Sequence, residues 1–594
     1  MKFTTRQSLT YFGFWCVLLA AILLLALSAN RGFDLIDGSY YLAWIIDPSR
    51  YEASIHPFGL PLHLLYSATG TSIVVMRLTG LVLLISTGSI LGFYIERFIK
   101  IFADRPPNGI NFALLGAIFS LSYYVFWLLT PSYNMLANVG ASLIISGVLG
   151  WFIADRGVLN LQEYGASVLV GMGGFVSFFA KPTFAALAGL VVAILLFYSW
   201  WLHGAKRAST RIIVTLVACM LPLVYVLHST VGITGFVDSI RIGLKVLNFG
   251  NSISSLPLKT VRELMHAPAL LAITGTALFF SVLTEASLHQ DSKAKARVKR
   301  LAYFLLVLSL AYLGRAVLLD GVLAKNWDLW VLVGIPVTCV VMCQVCCGIL
   351  RDTSNRMLPP LRRLVLGLIL VPFAISFGTA NNILNQTGLS LFAPLLASAV
   401  AARVQFSTRI AVAIQAGAAT FVLTILFCSA NVPYGLPASI WKHSIPIRMP
   451  FNNEELYVDA ASHKYLQELI EVTRNKQFAA ETHVIDLSGL GPGTVLFMNM
   501  RAPFFPLLTP GFPSSTPIAD AAWASLSEEQ RMAAWIIGPV HPDFATAKAA
   551  IRLREYQSQY KQSAQLTVGF KDKSFSIEIW QPEVAKHHNT IILK

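Results

Sequence analysis

Tyr11-Phe-Gly-Phe-Trp-Cys-Val-Leu-Leu-Ala-Ala-Ile-Leu-Leu-Leu-Ala-Leu-Ser-Ala29 runs without a charge into Arg31-Gly-Phe-Asp-Leu-Ile-Asp-Gly-Ser-Tyr-Tyr-Leu-Ala-Trp44. The first stretch is long enough to cross a bilayer as a helix, which takes about 20 apolar residues. Lys2 and Arg6 precede it, and Ala26-Leu-Ser28 resembles a cleavage site. The run nevertheless exceeds a signal-peptide core of roughly 7–15 residues. It reads as a retained helix with its N-terminus in the cytoplasm.

The rest of the chain repeats this pattern. Of 594 residues, 55% are hydrophobic and only 13% charged, about half the charge of a soluble domain. A large soluble enzyme and a disordered chain are excluded. The net charge of +15 lies entirely before residue 431, where 30 basic face 15 acidic side chains; the remainder has 15 of each. Short loops carry this excess, as membrane topology requires, rather than one face, as a nucleic-acid binder would need. No nucleic-acid partner is expected.

Further apolar runs fall at 72–95, 109–129, 135–154, 165–180, 183–202, 211–229, 267–286, 301–319, 328–350, 364–380, 388–403 and 409–428. With the first they make about 13 transmembrane helices. Counted from an inside start, the strong basic clusters fall on one side. They include Arg97, Lys100 and Arg105; Lys206, Arg207 and Arg211; and Lys293 to Arg300. An odd number of spans puts the C-terminus outside. The seven cysteines lie in or beside apolar runs, so a structural disulfide is not expected.

The chain thus divides into a polytopic α-helical domain, 1–429, and a C-terminal extracytoplasmic α/β domain, 430–594. In the latter, His483–Leu487, Ala534–Ile537, Leu566–Val568 and Phe575–Ile579 read as strands. Glu454–Lys476 and Asp543–Tyr560 read as amphipathic helices, the second capped by Asp543. Gly489-Leu-Gly-Pro-Gly493 reads as a plain turn, because apolar Val495–Met498 looks like a strand and not the helix that a dinucleotide loop would open.

Carboxylates are scarce in the first domain, yet Asp34, Asp37, Asp47 and Glu52 crowd the first outside loop, 30–71. Tyr41, Leu42 and Ile45 have the spacing of an interfacial helix, with Asp37 at its N-terminus. Asp37 is then either an N-cap or a base at the water–lipid boundary. His56, held extended before Pro57, is a donor to phosphate or a plain interfacial histidine. Lys181, Arg50, Arg241, Lys245, Lys259 and Arg262 are further outside cations, suited to a leaving phosphate or to snorkelling.

Asp37-Gly-Ser-Tyr-Tyr41 resembles the Asp-Glu-x-Tyr-Tyr pattern of the GT-C fold lipid-dependent glycosyltransferases. His56-Pro57-Phe58-Gly59 resembles the His/Lys-Pro-Pro-Leu that follows it in that family, and Met76-Arg77-Leu78 and Ala180-Lys181-Pro182-Thr183 resemble further family features. The likeness is to the protein O-mannosyltransferase and lipid A aminoarabinose transferase branch. Gly38 and Phe58 depart from the pattern, which leaves a divalent metal open. The resemblance implies an inverting hexosyl- or pentosyltransferase in a bacterial cytoplasmic (inner) membrane. It would move a sugar from a polyprenyl-phosphate donor to a glycan, lipid such as lipopolysaccharide, or protein of the cell envelope. Asp37 would be the catalytic base, with Asp34 second to it. Lys181, His56, Arg50, Arg241, Lys245, Lys259 and Arg262 would handle donor phosphate.

Three rivals remain. A secondary transporter or flippase would need two matching halves of broken helices, which are not seen. An envelope polymerase or ligase shares the donor chemistry. A non-catalytic scaffold would make Asp37 dispensable. The topology has a direct check: reporter fusions after Arg300 and after Lys594 should give opposite signals, and equal signals would mean a miscounted span.

Overall fold

The computed structural model describes residues 5–54, 56–103, 111–156, 160–250, 336–337, 340, 359–377, 386–474, 482–506, 515–555, 560–570 and 573–583. The expected spans at 267–286, 301–319 and 328–350, and residues Lys259 and Arg262, lie outside them, apart from three isolated positions in the last span.

The first domain is helical. Its elements are α1 (Thr5–Ala26), α2 (Asp37–Ile46), α3 (Gly59–Ala68), α4 (Ile73–Phe102), α5 (Phe112–Ser120), α6 (Tyr133–Ala154) and α7 (Asn160–Ala180). They continue with α8 (Pro182–His203), α9 (Ala205–Ser229), α10 (Gly232–Gly250), α11 (Pro359–Ser376), α12 (Phe392–Gln405) and α13 (Thr408–Asn431). Among the described residues, seven helices are long and apolar enough to cross a membrane; α1, α5 and α12 contribute shorter apolar stretches. This is a multi-pass membrane protein.

The expected span at 109–129 is shorter than its apolar run. After α5 the chain tightens into a 3₁₀ turn, Leu121–Phe126, and ends it on Trp127 in the left-handed region, φ 61°. Pro131, close behind, disfavours resuming a helix. The break between the fifth and sixth expected spans is real: Lys181 is extended and Pro182 opens α8, where its missing N–H costs nothing.

Helices approach closely through small residues, as membrane bundles do. A Cβ on Gly116 would strike the Gly88 carbonyl oxygen, and one on Gly92 the Phe112 carbonyl oxygen. At the end of the bundle expected to face the cytoplasm, Arg211 donates to Glu163 at 2.6 Å and to Asp155 at 2.6 Å, and Arg207 donates to Glu163 at 2.7 Å. The expected loop arginines therefore sit in the first turns of α9, neutralised by carboxylates from α7 and the α6 end.

The C-terminal domain opens with an antiparallel pair, β1 (Ile445–Arg448) and β2 (Glu455–Val458), followed by α14 (Ala460–Arg474). Then come β3 (Val484–Asp486), α15 (Gly493–Phe497), α16 (Ser515–Ser525), α17 (Glu528–Ala533), β4 (Trp535–Gly538), α18 (Lys548–Glu555), β5 (Tyr560–Phe570) and β6 (Lys573–Pro582). The sheet order is β3-β4-β6-β5, with β3 and β4 parallel and the other pairings antiparallel.

The four expected strands are found, and three expectations need correction. Glu455–Val458 is a strand, because it pairs with β1. Asp543 lies in a 3₁₀ turn, with His541 as its cap, so α18 is only eight residues long. Gly493 does open a helix: Leu496 donates to the Pro492 carbonyl at 2.9 Å.

This domain is fastened to the first outside loop. Gly32 N–H donates to Tyr457 O and Tyr457 N–H to Asn30 O, each at 2.8 Å. Glu454 accepts from Ile73 N–H at 2.6 Å and Val74 N–H at 3.2 Å, capping α4 with a charge that its dipole favours. Gly116→Val should separate α4 from α5. It is expected to lower stability by about 1–3 kcal/mol, as overpacking does, seen as a lower unfolding temperature in detergent. An unchanged temperature would mean the helices can part freely.

Candidate active site

The site is built on the turn that enters α2. Asp34 Oδ1 accepts from Ile36 N–H at 2.9 Å and Oδ2 accepts from Gly38 N–H at 2.6 Å. Ser39 Oγ donates to the Asp34 carbonyl. Asp34, and not Asp37, is thus the residue that caps the helix, and both of its carboxylate oxygens are engaged. The following helix is not interfacial as its spacing suggests: Gly38–Ile45 are all buried. The C-terminal domain covers it, with Phe505 against Tyr40 at 5.9 Å and Trp44 at 6.3 Å.

The tight fit has a backbone cause. Gly435, at φ +73°, passes directly against the Asp34 carboxylate. Gly493 N–H donates to Leu35 O at 2.9 Å, and a Cβ there would lie 2.5 Å from Leu35 Cα. The glycine-rich turn is a buttress for the first outside loop.

Asp37 is half-buried in the first turn of α2 and free of any capping bond. Tyr434, in the segment that leaves α13, shares a side-chain hydrogen bond with it. Burial pushes Asp37 up to about 6, against the lowering effect of Tyr434. Burial, and then the Asp37 charge, push Asp34 up to about 7. The Tyr434 phenol is raised by the Asp37 charge and by burial, so it stays protonated and able to donate.

Lys181, His56 and Tyr133 form a second group. His56 stacks on the Tyr133 ring at 4.5 Å and 18°, and Lys181 Nζ stands 5.4 Å from the same ring centroid. Tyr133 also meets Tyr41 edge-on at 5.8 Å, which brings the group to the α2 face that begins at Asp37. Lys181 is 2% exposed and donates to Ile375 O at 3.2 Å, so it does not snorkel. Burial lowers it to about 7. Burial and Lys181 lower His56 to about 3. This favours a neutral imidazole, able to offer one N–H, over the expected cation.

The other expected phosphate ligands stand differently. Arg50 pairs with Asp47 at 3.5 Å and reaches Met500 O at 3.4 Å. Arg241 and Lys245 are exposed on α10. Tyr434, Tyr133 and Trp127 escaped the sequence reading. Only Pro433-Tyr434-Gly435, a turn-like triplet between last span and domain, hinted at Tyr434. Among the described residues no three His, Cys, Asp or Glu side chains gather as a metal site.

No family model matches this sequence, and no curated protein matches it. A search of solved structures finds ArnT from Cupriavidus metallidurans, crystallised with undecaprenyl phosphate. The match covers 95% of this chain and 97% of that chain, at 12% identity and a TM-score of 0.36. At that TM-score the likeness transfers no residue role to this chain.

The titration has a testable sign. A carboxyl raised on folding stabilises the fold below its unfolded value, about 4, and loses that contribution as pH rises through the folded value. Stability should therefore fall between about pH 4 and 7. The fall is expected to be shallower in Asp34→Asn, measured by thermal unfolding in detergent. Equal slopes would place the titration elsewhere.

Proposed function

We propose that the protein is a membrane glycosyltransferase that takes a sugar from a polyprenyl-phosphate donor on the outer face of a bacterial cytoplasmic membrane. The N-terminus would lie in the cytoplasm and the C-terminal domain outside. Nucleotide sugars are absent there, so a lipid-carried donor is the natural source. The acceptor is a hydroxyl-bearing envelope glycan, lipid or protein.

In this reading Asp37 takes the proton of the acceptor hydroxyl as its oxygen bonds to the anomeric carbon. The bond from that carbon to the phosphate oxygen breaks, and the phosphate departs with the electron pair. A phosphate is a weak base and leaves without a general acid, unlike the glycosidic oxygen of hydrolases, which use two carboxylates. One carboxylate and one buried cation suffice. Lys181 supplies the charge, worth most where water is excluded, and His56 an N–H.

The observation that carries the reading is the division of labour between the two aspartates. Asp34 is occupied by backbone amides, while Asp37 shares a bond with one phenol and is pushed by burial up to about 6, close to the pH at which a general base serves best. Its ionised form is available at neutral pH and still basic enough to accept a proton.

The donor is to be identified first, as the lipid-linked sugar that co-purifies, by mass spectrometry. Asp37→Asn is then expected to lower transfer by about 10²–10⁴-fold with the protein still inserted and folded. Tyr434→Phe removes a donor to the ionised carboxylate, so the acid limb of the pH–rate profile should move to higher pH. Full activity of Asp37→Asn beside a dead Asp34→Asn would move the base to Asp34. Lys181→Ala should weaken donor dependence more than acceptor use.

A further inference from the structure

Helix α10 is packed on one side and exposed on the other. Its packed side meets the end of the bundle that carries Lys181. Phe236 stands 6.0 Å from Phe178 and 6.4 Å from Phe179, in the last turn of α7. Ser239 O accepts from Ser54 N–H of the first outside loop at 3.1 Å. The helix also touches α16 of the C-terminal domain, and only Thr230 and Val231 separate it from the end of α9, a helix long and apolar enough to span a membrane. It therefore lies where the bundle meets the C-terminal domain, at the level where a bilayer gives way to water.

The exposed side is ordered. Ile233, Val237 and Leu244 are 58%, 56% and 43% exposed. Steps of four and seven residues put them in one stripe. Arg241 and Lys245, one turn apart, are exposed as well. At about 100° per residue they come next round the helix, and exposed Asp238 comes after them. The order is thus apolar, cationic, acidic.

Single exposed apolar side chains are ordinary, but a contiguous row of them marks an interaction surface. This row follows in the chain directly on the exposed Leu221, Val224 and Tyr225 of α9, which in a spanning helix face acyl chains. A row of apolar side chains edged by cations suits a helix lying in the plane of a membrane surface. The apolar row enters the acyl boundary, and long basic side chains reach the phosphates. A carboxylate beyond the cations stays in water.

We propose that α10 is an interfacial helix that selects anionic phospholipid. Ile233, Val237 and Leu244 enter the leaflet on the side of the C-terminal domain, and Arg241 and Lys245 hold the headgroup phosphates of anionic lipids there. The two cations expected to serve donor phosphate serve the bilayer instead. Two cations against one carboxylate, continuous with a lipid-facing span, fit a charged lipid surface. Through Ser239 and Ser54 the same helix steadies the segment that carries His56. The proposal requires a membrane-spanning bundle and is independent of the chemistry at Asp37.

The test uses the full-length protein in neutral detergent, titrated with phosphatidylglycerol or with phosphatidylcholine of the same chains, and bound lipid is counted by native mass spectrometry. Wild type should prefer phosphatidylglycerol, and the preference should shrink in high salt. A cation near an anionic surface is worth roughly fivefold in affinity. Arg241→Gln combined with Lys245→Gln should therefore lower the preference by roughly 10- to 30-fold. Val237→Asp should weaken both lipids alike. Equal affinity for the two lipids in wild type, or a preference unchanged in the double variant, would overturn the proposal. Full displacement of phosphatidylglycerol by one equivalent of a polyprenyl phosphate would also overturn it and return the pair to the donor site. A dimer that Val237→Asp disperses would give the face to a second copy, against the proposal. Asp37→Asn should keep the lipid preference intact whatever it does to transfer, so the two readings fail separately.

Discussion

Two short hydrogen bonds organise the site: the amides of Ile36 and Gly38 to the carboxylate of Asp34. They start α2 where it does and turn Asp37 away from any capping duty. A Cβ at position 38 would lie 3.0 Å from Asp34 Cβ, so a side chain there would make the capping aspartate give by a few tenths of an ångström.

Holding a carboxylate in such a place depends on cover. The C-terminal domain provides it through β2 against residues 30–32, Gly493 against Leu35, and Phe505 against Tyr40 and Trp44. Water exclusion raises both aspartates, and it makes any fixed charge or dipole nearby more effective. Tyr434 and Gly435 belong to the link between α13 and this domain, so the site and the cover are joined by a single stretch of chain. The C-terminal domain is part of the site's construction.

The membrane bundle is organised by different forces. Without a solvent difference between helix and lipid, close packing decides, and Gly88, Gly92 and Gly116 let backbones touch. Polar staples add direction: Asn138 donates to Leu389 O at 2.8 Å and accepts from Ser390 Oγ at 2.7 Å. At the far end Arg211, Arg207, Glu163 and Asp155 neutralise one another, so that a buried arginine is tolerated. Among the described residues Lys181 meets no carboxylate of this kind, only a carbonyl and a ring, and burial depresses it accordingly.

The apolar runs, the break at Lys181-Pro182 and the four strands of the main sheet were legible in the sequence, because each depends on local pattern: run length, a proline and alternation. The shortened span after α5 was not, since Trp127 adopts a left-handed turn that no composition announces. Nor was the strand at Glu455–Val458, which exists because β1 pairs with it. The sequence also left Asp37 open as base or N-cap. Only the tertiary structure showed that Asp34 is the carboxylate that takes the amides of the α2 turn, because that depends on which groups the fold brings within reach. The same holds for His56, whose charge was decided by burial beside Lys181, and for Tyr434, nearly 400 residues from Asp37 in the chain and bonded to it in space.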